Sequence, residues 1–340
     1  MGFRTNICKL LLVVLQVLAT TMLFCQATFN HIVLPQGPVK SIQYNADGFL
    51  AGGSSALIID SVLAVGTNTA NYRAGEGQTK IFTKAFAQRN YLCGQGPYSE
   101  FKSGMFLGDR NFGIWYPLGN GATTVNTISF QSSISGTSLG ANVTAGAVYT
   151  QKKRLDVYNA SGGVNQSTYA RNADKVLVLS AGAKLGGFFC VFSFGLYDNT
   201  VFMDSTRLFV GLDDGVPSAT NDPSSNGNII GVGFDALDTA MYIMHNDASG
   251  TATKILLGPD FTYRSAQRDW YKFYIYNPQG GSVTYWHIIN EYNGTDQSGT
   301  ITTDLPSNTT LLQQYVWRNT GLQNLNVITS IGLMYYETDY

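Results

Sequence analysis

The sequence predicts an all-β fold, arranged as a β-sandwich or a jelly roll. Only 13% of its 340 residues are charged, whereas an ordinary globular domain has roughly 25%. Turn-forming residues are abundant, with 37 glycines, and 44% of the residues are hydrophobic, which is enough for a packed core. Beyond Tyr72 no stretch has a convincing helical period. The chain therefore suits short strands and tight turns better than helices.

The predicted strands are short apolar runs bounded by Gly, Asp and Asn, a spacing that is typical of a sandwich. The runs are Val176–Leu179, Phe188–Phe194, Arg207–Val210, Ile229–Phe234, Trp270–Tyr276, Val283–Ile289 and Ile331–Tyr336. We expect residues 76–340 to form the sandwich domain, with less than about a tenth of them helical.

Residues 1–30 are a separate apolar segment that we expect to be helical. Arg4 and Lys9 precede the apolar run at residues 10–24, and Cys25-Gln26-Ala27 follows it. This order is typical of a secretory signal peptide. The alternative is a retained anchor, in a membrane or against other chains, although the run is shorter than the about 20 apolar residues of a transmembrane helix.

Residues 31–75 are predicted to be a β-rich connector. The runs Ser41–Tyr44 and Ala56–Ile59 have the pattern of strands, and the turn signal Asn45-Ala46-Asp47-Gly48 follows the first of them. A small hairpin is marginally stable by itself in water. The connector must therefore pack on the next domain or on neighbouring chains.

Charge and cysteine patterns exclude several classes of protein. The 21 basic and 22 acidic residues are evenly spread, so the chain lacks the positive stripe of a nucleic-acid-binding protein, and no nucleic-acid partner is expected. Cys93 and Cys190 are isolated. Two buried free thiols are the favoured interpretation, with a bridge between them as the alternative. No cofactor fingerprint occurs, so no cofactor is predicted.

The clearest hairpin lies between residues 270 and 289. Period-2 alternation gives each face of its first strand a different set of side chains. One face carries Tyr271, Phe273 and Ile275, and the other carries Trp270, Lys272, Tyr274 and Tyr276. Since one face can be core, the other is either covered or available as a contact surface.

Two segments resemble bacteriophage tail-fibre proteins. Gly37–Leu57, with the sequence GPVKSIQYNADGFLAGGSSAL, is similar to a connector of many phage fibres that often follows a virion-anchoring part. The second segment runs from about Arg207 to the C terminus and ends in Glu337-Thr338-Asp339-Tyr340. It resembles the lectin-like C-terminal domains of phage tail proteins. The resemblance implies a lectin-like β-sandwich in a virion protein. Phage fibres of this kind are commonly trimeric.

Aromatic side chains are the predicted ligand contacts. A flat aromatic ring complements the C–H face of a sugar ring, while its polar edge keeps contact with water. The candidates are Trp115, Tyr116, Trp270, Tyr274, Tyr285, Trp286, His287 and Trp317. The alternative for each is a place in the core or in a subunit interface, where large aromatics usually lie.

Histidine and carboxylate patterns carry no catalytic or metal prediction. His245 has no second histidine at ligand spacing, so we expect it in a structural turn. The aspartates lie in Gly-rich loops, as the pairs Asp213-Asp214 and Asp235 with Asp238. Aspartates in such loops usually form turns, and calcium binding or a glycosidase pair are the alternatives.

The sequence therefore predicts a non-enzymatic virion protein, a tail fibre or tail tip that binds a host surface glycan or receptor alongside other virion proteins. Several weak sites in one oligomer would multiply avidity. Three alternatives stay open: a depolymerase of the same polysaccharide, a structural collar or decoration protein, and a secreted surface protein that uses residues 1–30 as a signal.

We predict a homotrimer, because small hairpins such as those of residues 31–75 cannot bury their apolar faces alone and the resemblance to phage fibres implies a trimer, which closes by rotation without an open assembly surface. Analytical ultracentrifugation should give three times the chain mass of 36.9 kDa. A stable monomer would contradict this prediction.

Overall fold

The computed structural model describes two parts of the chain to different depths. For the residues before 111, only the backbone of six strands is described. Residues 111–338 are described except 161–162, 182–184, 198–204, 216–217, 219, 262–268 and 323–326. The chain divides into two compact units, one within residues 1–103 and one made up chiefly of Gly104–Tyr340. The helix predicted in residues 1–30 lies outside the described residues.

The first unit contains strands of two three-stranded sheets. The strands of one sheet are β1 (Ser41–Ala46), β2 (Phe49–Ile59) and β3 (Val62–Val65), and those of the other are β4 (Lys80–Phe86), β5 (Arg89–Gln95) and β6 (Glu100–Lys102). β1 pairs with β2, and β2 with β3, both antiparallel. Strands predicted at Ser41–Tyr44 and Ala56–Ile59 are therefore confirmed.

The second unit is a sandwich of two antiparallel sheets, so the predicted all-β sandwich is confirmed. The nine-stranded sheet contains β7 (Phe112–Gly119), β8 (Ala122–Ile128), β10 (Thr137–Gly140), β11 (Leu155–Tyr158), β13 (Phe188–Tyr197), β18 (Trp270–Asn277), β19 (Thr284–Asn290), β20 (Asp296–Ile301) and β22 (Ile328–Thr338). The seven-stranded sheet contains β9 (Ser132–Ser135), β12 (Ser167–Asn172), β14 (Arg207–Asp213), β15 (Asn228–Phe234), β16 (Tyr242–Asp247), β17 (Thr253–Leu256) and β21 (Gln313–Asn319).

Helix is nearly absent from the described residues, as predicted. Its one occurrence there is a 3-10 turn at Pro223–Ser225. In the same part of the chain, no helix has the length and apolarity of a membrane span.

Strand order places sequence-distant segments side by side. The nine-stranded sheet has the order β10-β11-β22-β13-β18-β19-β20, and β7 joins β22 to β8. β22 pairs with β13 along one side, and with β11 and then β7 along the other. The order of the seven-stranded sheet is β17-β16-β15-β14-β21-β12-β9. β9 is therefore an edge strand that lies next to β12.

The two sheets pack through a shared apolar core. From the nine-stranded sheet, Phe192 and Phe273 are buried with ring centroids 6.2 Å apart, and from the seven-stranded sheet Val210 and Ile230 join the same cluster. The structure shows which face of β18 is core. All three of its members, Tyr271, Phe273 and Ile275, belong to this core.

On the opposite face of β18, the side chain of the first residue, Trp270, is also buried. Trp270 is 0% exposed, and its ring lies over Gly195, where a Cβ atom would come within 2.6 Å of it. Tyr149 packs edge-on, with ring centroids 5.7 Å apart. The indole Nε1 donates a hydrogen bond to Ser193 Oγ at 2.7 Å. A glycine in the neighbouring strand thus makes room for this indole.

One predicted strand is wrong. The segment Val176–Leu179 forms a single bridge, between Leu177 and Leu312. Val176 N and Leu177 N both donate to the carbonyl oxygen of Leu312 at 3.1 Å, so two donors converge on one acceptor and no ladder continues. Leu177 and Leu179 are buried, which explains why the run is apolar.

Cys190 is a buried free thiol, whereas the side chain of Cys93 lies outside the described residues. Cys190 lies in the core between the sheets. Burial, together with the charge of Glu337, raises the pKa of the Cys190 thiol well above its usual value.

The Trp270→Ala substitution should lower the free energy of unfolding by about 3–5 kcal/mol, because it leaves a cavity between Gly195 and Tyr149. Urea denaturation followed by circular dichroism measures this. Tyr116→Ala is the matched control, since Tyr116 is 38% exposed on the same sheet and should cost less than about 1 kcal/mol. Equal losses in the two variants would contradict the packing described for Trp270.

Candidate functional site

The outer face of the nine-stranded sheet carries a set of contacting rings that we call the aromatic platform. Its members are Phe189, Tyr274, Tyr276, Tyr285 and His287, from β13, β18 and β19. They share one face because residues opposite each other in paired strands project to the same side. Tyr276, Tyr285 and His287 are partly exposed, so the platform has a surface open to solvent.

Ring contacts across the platform are continuous. Phe189 lies 6.1 Å from Tyr274 and 6.2 Å from Tyr276, measured between ring centroids. Tyr274 stacks on His287 at 5.7 Å and 28°, and Tyr276 stacks on Tyr285 at 6.1 Å and 27°. These separations are those of attractive aromatic pairs. The rings therefore support each other in a fixed arrangement.

Polar groups border the platform on the β20 side. His287 Nε2 lies 2.8 Å from Asp296 Oδ2, a contact that orients the imidazole. Ser298 lies opposite His287 in the sheet, and Thr300 lies opposite Tyr285. Both hydroxyl-bearing side chains are exposed. The surface thus offers ring faces beside hydrogen-bonding groups.

The phenol of Tyr274 stays protonated at neutral pH. Burial raises its pKa, and the charge of Glu291 raises it further. Its hydroxyl is therefore a neutral group and adds no charge to the platform.

A cleft of about 510 Å³ opens in the sandwich, and we call it the end cleft. Its described lining residues are Asn111, Phe112, Ser129, Val176, Leu311, Tyr336 and Thr338. Small-molecule sites occupy about 300–1,000 Å³, so the volume suits a ligand of one or a few sugar rings. Each of these described lining side chains is either apolar or polar and uncharged.

Phe112, one lining residue of the end cleft, lies on a line of strand register that leads to the platform. Phe112 lies opposite Glu337, and Glu337 lies opposite Phe189. Phe189 in turn lies opposite Tyr276, and Tyr276 opposite Tyr285. Adjacent strands are about 4.8 Å apart, so the four steps from Phe112 to Tyr285 cover about 19 Å. Glu337 and Phe189, which lie between these two ends, are each 3% exposed, so the cleft and the open part of the platform are separate surfaces.

The predicted ligand contacts lie in different surroundings. Tyr274, Tyr285 and His287 belong to the platform, and Tyr116 is exposed on the outer face of the same sheet. Trp115, Trp270, Trp286 and Trp317 are at most 5% exposed. These four indoles therefore have no exposed face for a ligand. They occupy buried positions, which was the alternative interpretation.

Two of the buried indoles show why the sequence pattern is ambiguous. Trp286 packs in the core over Gly299, where a Cβ atom would lie 2.7 Å from the ring. Trp317 belongs to a second, smaller core with Phe209 and Tyr315, on the other face of the seven-stranded sheet. Both faces of that sheet are therefore partly covered.

Sequence analysis missed Phe189 as a member of the platform. Its pairing with Tyr276 joins β13 to β18, which are far apart in the chain. No local pattern indicates such a contact.

Asp235 and Asp238 form ion pairs with Lys254, and the imidazole of His245 contacts the backbone of a loop. Lys254 Nζ lies 3.0 Å from Asp235 Oδ2 and also contacts Asp238. His245 lies in β16, where a turn was expected, and its Nδ1 is 3.0 Å from the carbonyl oxygen of Asp304. Among the described residues, no group of three or more His, Cys, Asp or Glu could hold a metal ion.

Asp213 and Asp214 organise the loop after β14. Asp213 Oδ1 accepts a hydrogen bond from Gly215 N at 2.7 Å, and its Oδ2 accepts one from Asn226 Nδ2 at 3.3 Å. Asp214 Oδ2 accepts one from Asn228 Nδ2 at 2.7 Å. These are the contacts of turn-forming aspartates.

Comparisons with known proteins identify no family for the chain. No family model and no curated protein sequence matches the chain. Similar solved structures include winged bean acidic lectin with methyl-alpha-D-galactose (TM-score 0.46, 10% identity, covering 67% of this chain and 98% of the lectin). Peanut lectin with a 9mer peptide has a TM-score of 0.41 and 14% identity, covering 67% of this chain and 97% of the lectin. A Shewanella oneidensis MR-1 protein of unknown function has a TM-score of 0.42 and 10% identity, covering 67% and 86%.

The stability of the sandwich should fall as the pH rises from about 4 to about 6. Burial raises the pKa of Asp213 to about 6, whereas an unfolded aspartate has a pKa of about 3.9. In that window the folded state binds more protons, so the free energy of unfolding decreases with pH, by up to about 1.4 kcal/mol per pH unit.

Urea denaturation of Asp213→Asn across this window should show a smaller pH dependence than the wild type. Asp174→Asn is the control, because Asp174 is an exposed aspartate, and it should keep the wild-type dependence. An unchanged slope in Asp213→Asn would show that another group is responsible.

Proposed function

We propose that the chain is an adhesin of a tailed bacteriophage virion that binds a host surface glycan through the aromatic platform without cleaving it. The observation that supports this best is the platform itself. It is a continuous set of rings, partly open to solvent, with Asp296, Ser298 and Thr300 at its border. Stacking of rings on sugar C–H faces, combined with hydrogen bonds at the border, is how a protein surface of this kind would bind a saccharide.

The end cleft is a second place where a sugar ring would bind. The neutral and polar lining of the cleft suits a sugar ring with hydroxyl groups. Binding at two linked places would raise the affinity above that of either place alone.

Binding without turnover is favoured over depolymerisation. Glycosidases need two carboxylates about 5–10 Å apart across the sugar. Asp235 and Asp238 share the ammonium group of Lys254, and Asp296 contacts His287. These carboxylates are therefore already engaged within the protein.

The virion part of the proposal rests on sequence resemblance. Gly37–Leu57 and the C-terminal segment from Arg207 resemble phage fibre proteins, and the trimer prediction belongs to the same proposal. If residues 1–30 act as a cleaved signal, the protein is instead a secreted surface protein. N-terminal sequencing of the protein from purified virions would distinguish the two.

Tyr285→Ala should weaken binding to the surface polysaccharide by about 5- to 30-fold, which corresponds to about 1–2 kcal/mol for an aromatic contact. An array of bacterial surface polysaccharides would first identify the ligand, and isothermal titration calorimetry would then compare the variants. Tyr116→Ala is the matched control, since Tyr116 is an exposed tyrosine on the same sheet face but outside the platform. Circular dichroism would show that both variants are folded.

Two results would contradict the proposal. If Tyr285→Ala binds as the wild type does, or if Tyr116→Ala loses as much affinity, the platform is not the site. Release of oligosaccharides from the polysaccharide by the wild-type protein would refute the non-enzymatic function.

A further inference from the structure

Arg171 is a partly exposed arginine that lacks an acidic partner among the described residues. Two other arginines of the sandwich have aspartate partners: Arg154 Nε lies 3.5 Å from Asp156, and Arg207 Nε lies 2.6 Å from Asp222. A guanidinium that is partly removed from water without a counter-charge is unfavourable. The position of Arg171 therefore favours the binding of an anion that is not part of the chain.

The guanidinium of Arg171 is held in place by its neighbours. Its Cζ lies 5.5 Å from the centroid of the Tyr169 ring, and its Nη1 donates a hydrogen bond to Gln313 Oε1 at 3.3 Å. Tyr169 is in turn stacked on Tyr315, with ring centroids 5.5 Å apart and an interplanar angle of 27°. A fixed guanidinium loses less freedom when it binds a ligand.

Two hydrogen-bond donors at this place have no partner in the described structure. They are Arg171 Nε and the hydroxyl of Tyr315, and both atoms are buried. Arg171 lies directly opposite Tyr315 in the pairing of β12 with β21. Buried polar groups are nearly always hydrogen-bonded, so these two donors leave hydrogen-bonding capacity beside the guanidinium that the described residues do not use.

The site is open toward the edge of the sheet. Ser133 of β9 lies opposite Arg171, and Ser135 lies opposite Tyr169. Both serines are partly exposed, and β9 is the last strand of the seven-stranded sheet. We call the five residues Ser133, Ser135, Tyr169, Arg171 and Tyr315 the Arg171 patch.

We propose that the Arg171 patch is a second saccharide site, which binds the carboxylate of an acidic sugar such as a uronate. Arg171 Nη2 has no hydrogen-bond acceptor among the described residues, and a hydrogen bond from a guanidinium to a carboxylate is charge-assisted. A single guanidinium balances one negative charge, which favours a carboxylate over a doubly charged phosphate. The serine hydroxyls are placed to bond the hydroxyl groups of the sugar, and Tyr169 provides an aromatic edge beside them.

This inference deepens the proposed function by naming a class of sugar, but it uses residues of the opposite sheet. The platform and the patch share no residue. An experiment can therefore contradict the proposal for the platform without contradicting the proposal for the patch, and the reverse also holds.

The test compares methyl glucuronide with methyl glucoside as ligands of the full chain, followed by NMR titration or calorimetry. We expect the wild type to bind the glucuronide at least about 10-fold more tightly, with an affinity that falls as salt is added. Arg171→Gln should lose this preference, and Arg171→Lys should keep part of it. Ser133→Ala should weaken binding of both sugars while leaving the arginine and its stacking in place.

Tyr285→Ala separates the patch from the platform. It should keep the wild-type preference for the glucuronide over the glucoside, even if its affinity for the polysaccharide and for both methyl glycosides falls. Sodium acetate and inorganic phosphate are the anion controls, and circular dichroism checks the fold of each variant.

Three results would overturn the inference. The first is equal affinity of the wild type for glucuronide and glucoside. The second is a folded Arg171→Gln variant with the wild-type preference. The third is binding of acetate or phosphate as tight as that of the glucuronide, which would show a general anion site and no sugar specificity.

Discussion

Packing of the two sheets on one aromatic core is the interaction on which the other features of the sandwich depend. Side chains alternate along each strand, so placing Phe192 and Phe273 inside places Phe189 and Tyr274 outside. A slip of one residue in the pairing of β13 with β18 would exchange the core with the platform. The same contacts that stabilise the fold therefore also determine which rings face a ligand.

The strand pattern of the sandwich could be predicted from the sequence, but the covering of its outer faces could not. Alternation in Trp270–Tyr276 correctly separated its two faces. It did not show that Tyr149, from a distant turn, covers Trp270. Likewise, the apolar run at Val176–Leu179 has the composition of a strand, yet its donors converge on Leu312. Local sequence patterns indicate which side chains are buried. Only the tertiary structure shows which residues cover them.

The candidate sites were predicted only in part, for a related reason. Tyr285 and His287 were found because they lie in one obvious hairpin. The Arg171 patch was missed, since it combines β9, β12 and β21, and no short segment contains its residues. Its position on the opposite sheet gives the sandwich two outer faces with different chemistry. One face carries the aromatic platform, and the other presents the guanidinium of Arg171, so the two would select different parts of a mixed polysaccharide.

The thiol of Cys190 has a consequence for the conditions in which the sandwich is stable. It is the one cysteine in the sequence from Gly104 to Tyr340, and it lies free in the core. A thiol that is buried and protonated reacts slowly with oxidants, because the thiolate is the reactive form. The fold of the sandwich therefore does not depend on the redox state of its surroundings. It can form in a reducing cytoplasm and persist unchanged in an oxidising medium outside the cell.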